Sequence, residues 1–140
     1  MGPRSRLAKV DNARRHVSAR TPWGRVVGYS RAVRTGSMII VSGTTATNAQ
    51  GRVFGKNDPY RQMVFIIRKI EAALLELGAS LEDVVRTRIY TTDITLWSEI
   101  ARAHRRFFAR VRPACTMVQV SRLIDPDMLV EVEVEAVRET

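Results

Sequence analysis

Few side chains in this sequence are suited to chemistry, and they are widely spaced. Cys115 is the only cysteine, and His16 and His104 are the only histidines. Cys115 with His104 could supply a thiol nucleophile and its base, although a lone cysteine beside a strand is more often a small buried hydrophobe. Zinc needs three or four convergent ligands, which these residues do not supply, so no metal is expected. Gly24 and Gly28 stand apart and open no helix, which leaves no phosphate-cradling loop and implies no nucleotide cofactor. Glu131, Glu133 and Glu135 alternate and therefore share one face of a strand. A carboxylate there could serve as a general base if burial raised its pKa. The competing reading is the solvated face of a half-buried strand, and it is stronger for Glu135 than for Glu131. Tyr29 reads equally well as a ligand-contacting hydroxyl and as an amphipathic core residue.

The elements that must position these groups follow from periodicity. Val26–Val33 and Ser37–Ser42 read as strands around Thr35-Gly36, a hairpin turn in which glycine supplies the positive φ. Arg52–Phe54 reads as a short strand. Asp58 and Pro59 read as the cap and first residue of a helix whose apolar positions Met63, Ile67, Ile70, Leu74 and Leu77 keep the 3.6-residue period up to Gly78. Val84–Thr92 alternates as a strand, with Val85, Thr87, Ile89 and Thr91 on one face. Thr95 reads as the cap of a second helix carrying Leu96, Ile100, Ala103, Phe107 and Val111 and ending before Pro113. Thr116–Arg122 and Leu129–Val137 close the chain as strands. The order predicts an α+β domain with both helices packed on one face of a mixed sheet. The other face then needs cover, for which self-association is the simplest source.

The 140 residues, 45% of them hydrophobic and 26% charged, suit one domain with one core. The longest apolar runs, Met38–Val41 and Met63–Ile67, fall far short of the roughly 20 residues that cross a bilayer, so no membrane association is expected. The net charge of +9 invites a nucleic-acid partner, but its distribution argues otherwise. The first 25 residues hold Arg4, Arg6, Lys9, Arg14, Arg15, Arg20 and Arg25 against the single acid Asp11. Residues 1–20 are therefore expected to be a flexible basic arm, with residues 21–140 forming the domain, and RNA binding is the weaker alternative. That arm lacks the apolar stretch of a secretory signal and one cysteine cannot form an internal disulfide, so a cytoplasmic location is expected.

Four segments, in order, resemble the Rid superfamily, also called RidA/YjgF or endoribonuclease L-PSP. They are Gly28-Tyr29-Ser30-Arg31-Ala32-Val33, Ile40-Val41-Ser42-Gly43-Thr44-Thr45, the helix from Ile70 to Val85 followed by Tyr90-Thr91-Thr92-Asp93-Ile94, and Arg112-Pro113-Ala114-Cys115-Thr116 running on to Val130–Ala136. The resemblance spans about residues 22–138. It implies a chorismate-mutase-like fold assembled as a homotrimeric barrel, with small ligands bound in clefts between subunits. The activity it implies is hydrolysis of reactive imines or enamines such as 2-aminoacrylate to 2-oxo acids and ammonia. A non-enzymatic ligand-binding or interaction trimer and an endoribonuclease are the alternatives.

By the same resemblance Tyr29, Ser42, Gly43 and Thr95 line the cleft, and Glu131 orients the water. Cys115 stands where deaminating members have an arginine. A thiol cannot reproduce the planar, two-donor grip of arginine on a carboxylate, and losing such a charged hydrogen bond costs roughly 1.5–3 kcal/mol. Arg86, Arg88, Arg112 and Arg122 are the candidates to replace it.

Overall fold

A computed structural model of the protein describes residues 13–139. Helix α1 (Pro59–Glu76) begins as its sequence requires: the Asp58 carboxylate accepts from the Arg61 backbone N–H at 3.0 Å, and Pro59 occupies the first turn, where no N–H is needed. Its apolar stripe of Met63, Ile66, Ile67, Ile70 and Leu74 is almost completely buried. Each such side chain contributes roughly 1.5–3 kcal/mol by leaving water. Gly78, at φ +78°, supplies the left-handed residue that ends the helix.

The stripe packs on a sheet of β1 (Arg15–Ser18), β2 (Ser30–Thr35), β3 (Met38–Thr45), β4 (Val84–Thr91), β5 (Ala114–Gln119) and β6 (Val130–Val137), ordered β1-β2-β3-β6-β4-β5. Only β4 and β5 run parallel, so the sheet is mixed. Helix α2 (Trp97–Phe108) lies beside α1 and buries Ile100, Ala103 and Phe108. His104 of α2 reaches down to the sheet, with its Nε2 2.9 Å from Thr87 Oγ1. The fold is the α+β arrangement expected, a six-stranded mixed sheet with two helices.

Several local expectations need correction. Residues 1–12 of the expected arm lie outside the described residues, but Arg15–Ser18 form an edge strand paired with β2. Val17 and Ala19 are buried, and Arg15 and Arg20 both bind Glu76 at the end of α1. The ordered domain therefore starts before residue 21. The first strand expected from Val26 begins only at Ser30, because Gly24–Gly28 form one wide helical turn closed by Tyr29 N–H donating to Gly24 O at 3.2 Å. Arg52–Phe54 makes only an isolated bridge, Val53 to Thr47. On β4 an irregularity between Val84 and Arg86 turns Val84 inward and leaves Val85 47% exposed. Thr95 caps no helix. Asp93, whose carboxylate accepts from both the N–H and the hydroxyl of Thr95, caps a short 3₁₀ turn, and α2 starts at Trp97. The ionised carboxylate is the stronger acceptor, so the hydroxyl donates to it instead of capping. Strand β5 starts two residues earlier than expected, which puts Cys115 within it.

Candidate functional site

Strand β6 presents Glu131 opposite Thr45 of β3 and Tyr90 of β4. The β3–β6 register slips between Val41 and Thr44, so Ser42 and Gly43 bulge toward the glutamate. Gly43 leaves the room that the carboxylate occupies: a Cβ at this position would collide with Glu131 Oε1 and lie 3.0 Å from Cδ. Glu131 is half-buried, and its pKa is raised above the ordinary 4.5. Burial is the main cause, the positive charge of Arg31 opposes it, and the negative charge of Glu133 reinforces it.

Arg31 of β2 lies beside this carboxylate and is only 6% exposed. Its Nη1 donates to Gly43 O at 2.9 Å and to Thr44 Oγ1 at 3.0 Å, and its Nη2 reaches Tyr29 OH at 3.4 Å. The guanidinium carbon stands 5.7 Å from the centre of the Tyr29 ring. Its Nε is buried and has no acceptor among the described residues. From α1, Lys69 Nζ donates to Thr45 O at 3.0 Å and Thr47 O at 2.8 Å. Burial, helped by the charge of Arg31, lowers the Lys69 pKa to about 8.

These groups converge on a cavity of about 350 Å³ lined by Tyr29, Arg31, Gly43, Thr45, Lys69 and Glu131, with Trp23, Val27 and Ile124 at its apolar margin. The wide turn at Gly24–Gly28 delivers Tyr29 to the cavity and holds Val27 at its rim. A carboxylate of raised pKa, a tyrosine hydroxyl and two cations around one small cavity can polarise a ligand and position a water against it.

Of the residues expected from the sequence, Tyr29, Gly43 and Glu131 meet here. The Ser42 hydroxyl instead donates to Ser30 O at 2.7 Å and helps hold the two strands together. Thr95 is exposed and bound to Asp93. Cys115 is exposed on β5, three positions from Val118, which shares its pairing partner Tyr90 with Glu131. Within one chain Cys115 and Glu131 therefore do not meet.

A family model described as Endoribonuclease L-PSP matches residues 22–138. The chain belongs to the endoribonuclease L-PSP family. It is 38% identical over 129 residues to the uncharacterized protein SCO2049 of Streptomyces coelicolor, covering 92% of this chain and 96% of that one. It is also similar to the crystal structure of Rv2704 of Mycobacterium tuberculosis, described as a member of the YjgF/YER057c/UK114 family. That likeness has a TM-score of 0.82 and 44% identity, over 90% of this chain and all of that one. The structure of E. coli TdcF with bound serine matches at a TM-score of 0.72 and 27% identity, covering 79% of this chain and 88% of that one.

Arg86, Arg88, Arg112 and Arg122, the arginines singled out from the sequence, do not line the Glu131 cavity. Arg86 and Arg88 face Glu133 and Glu135 across β4 and β6, with the closest contact 3.3 Å from Arg88 Nη1 to Glu135 Oε1. Arg112 sits at φ +53° beside the end of α2, and Arg122 is exposed. Arg31 and Lys69 were the residues missed. The available signals were a charged residue next to Ala32 in a strand, and a lysine spaced three and four residues from Ile66 and Ala73 on the apolar side of α1.

Proposed function

We propose that this protein binds a small metabolite at the Glu131 cavity and that the reaction suited to this site is addition of water to the C=N bond of an imine, reached directly or from its enamine tautomer. Glu131 takes a proton from water as the oxygen bonds to the imine carbon. Glu131 passes that proton to the imine nitrogen, giving the carbinolamine, then takes the hydroxyl proton and returns it to the nitrogen as the carbon–nitrogen bond breaks, so that the products are a 2-oxo acid and ammonia. The observation that carries this reading is the half-buried carboxylate of raised pKa held against Gly43 beside Arg31 and Tyr29. Bound serine in the related TdcF supports a ligand of amino-acid size. Release of ammonia from enzymatically generated 2-iminopropionate tests it. Turnover by the parent that is lost in Glu131→Gln is the expected result, and an equal rate in the variant would refute the role of Glu131.

The cleft of this reading is completed by neighbouring subunits of a homotrimer. What supports the assembly is the sheet face away from the helices, where Met38, Ile40, Val118 and Val137 remain between 39% and 49% exposed. Such a row of apolar side chains on a sheet face favours cover by another copy. A stable monomer in sedimentation would overturn the assembly.

A second reading, a ligand-binding protein without turnover, is favoured by Cys115, which by resemblance stands where deaminating members have an arginine. Saturable ligand binding with no ammonia release from any imino acid would establish it. The family's ribonuclease name finds less support: His16 bonds Ser30 and His104 bonds Thr87, so the two histidines are engaged on different elements.

A further inference from the structure

Next to the Glu131 cavity lies a second one of about 270 Å³, between the N-terminal segment and α1. Thr21, Arg31 and Lys69 line both. Away from this shared wall the second cavity is largely apolar, with Val17 and Ala19 facing Phe65, Ala72 and Ala73. The wall carries two cations. Among the described residues neither has a carboxylate within ion-pair distance, whereas Arg86 and Arg88 both do. Glu131 lies nearby but outside ion-pair distance, and desolvated charge that is not directly paired is costly, so a fold that keeps two cations side by side is poised to accept an anion. Their donors are also incompletely used. An ammonium has three donors, and Lys69 commits two of them, to Thr45 O and Thr47 O. Arg31 Nε, itself fully enclosed, has no acceptor among the described residues. Charge and the third Lys69 donor both call for an anion, and the apolar space beyond them indicates what the anion is attached to.

We propose that Arg31 and Lys69 form an anion subsite, and that its ligand is an organic carboxylate whose aliphatic body lies between the N-terminal segment and α1. This rests on the reading of the Glu131 cavity as the ligand site and adds which groups hold the ligand's carboxylate and where its aliphatic body lies. An inorganic anion would satisfy the cations but leave the apolar cavity unfilled. The carboxylate grip that Cys115 cannot provide is thereby supplied from β2 and α1 of the same chain.

Calorimetric titration with acetate, butanoate, hexanoate, hexanamide and inorganic phosphate tests the proposal. Affinity is expected to rise about 4-fold per added methylene while the apolar cavity fills. Hexanamide should bind about 10-fold or more weakly than hexanoate. Lys69→Met and Arg31→Gln should each bring hexanoate toward the affinity of the amide, Lys69→Arg should restore much of it, and Ala72→Phe should flatten the chain-length gain. Thermal melts confirm that each variant is folded, and should Arg31→Gln fail to fold, the lysine pair still decides. Equal binding of acid and amide, phosphate binding as tightly as hexanoate, or a chain-length gain that survives Ala72→Phe overturns the subsite. The two readings fail separately. Glu131-dependent turnover alongside any of these results removes only the subsite, and the expected titrations with an undiminished Glu131→Gln rate remove only the catalytic role.

Discussion

Gly43→Ala isolates the position of the Glu131 carboxylate from the stability of the fold. Gly43 lacks the left-handed backbone that would exclude a side chain, since its φ is not among the positive values of this chain. Alanine in a strand interior should therefore be neutral to stabilising, by up to about 1 kcal/mol. The new methyl would, however, overlap Glu131 Oε1 and stand 3.0 Å from Cδ and 3.4 Å from Cγ. Non-bonded carbons rest at about 3.5–4.0 Å, so the end of the side chain must swing away by about 1 Å. A misplacement of that size costs on the order of 10²-fold in rate. The assay pairs a thermal melt with ammonia release from 2-iminopropionate, for the single variant and for Gly43→Ala combined with Glu131→Gln. The expected pattern is an unchanged or higher melting temperature, a rate near 1% of the parent, and a double variant no slower than Glu131→Gln alone, because both changes disable one group. Carboxyl NMR supplies a readout free of turnover: a displaced carboxylate gains water, and its pKa falls toward the ordinary value. A parent rate in Gly43→Ala, or losses that multiply in the double variant, would refute the reasoning.

With ionised Glu131 as the base, as proposed, the acid limb of the kcat/KM profile should lie above the ordinary 4.5, and Arg31→Gln should move it higher still because the Arg31 charge holds that pKa down. The Lys69 pKa falls from 10.5 to about 8 on folding, so between those values the unfolded chain binds more protons and stability rises with pH. Urea unfolding at pH 7.5 and 10 should show that Lys69→Met loses part of this rise. Gln62 is fully buried and ties Gly55 O, Asp127 O and the Leu129 N–H together at 3.2, 2.8 and 2.9 Å. Gln62→Met should cost about 2–4 kcal/mol by leaving the last two groups unpaired, and chemical denaturation within 0.5 kcal/mol of the parent would contradict that.

The parts of the fold that could be read from sequence are those whose signals are local. Helix α1 announces itself through Asp58-Pro59, the apolar stripe and Gly78. The β2–β3 hairpin does so through Gly36, observed at φ +59° with Thr35 opposite Met38. Strand β1 could not be read in this way. Its residues Arg15-His16-Val17-Ser18 include a single buried side chain, and it is held by pairing with β2 and by a backbone carbonyl 61 residues away at Glu76. The site divides similarly. Glu131 and Tyr29 carry recognisable patterns, whereas Arg31 and Lys69 are 38 positions apart and are united only by the packing of α1 on β2 and β3. Cys115 shows the reverse case: its motif singles it out, but its register along β5 keeps it from Glu131 within the chain.

Arginine is common in this sequence, and residue type alone cannot say which arginines serve a ligand; their partners can. Arg86 and Arg88 face glutamates on the neighbouring strand, an arrangement that neutralises the sheet surface and leaves little charge for anything else. Arg34 is as buried as Arg31, but its three nitrogens each meet a carbonyl, of Gly36, Leu77 and Arg138. Leu77 lies just past the end of α1, where the negative pole of the helix favours a cation, so Arg34 is satisfied structurally. Arg31 differs on each count. It sits beside a lysine instead of a helix C-terminus, keeps one nitrogen without an acceptor among the described residues, and acts on a glutamate whose pKa is still raised. A buried cation that the fold itself leaves incompletely satisfied is hard to explain by stability, because a hydrophobic replacement of similar volume is often neutral or better. It is readily explained if a bound carboxylate balances its charge together with that of Lys69.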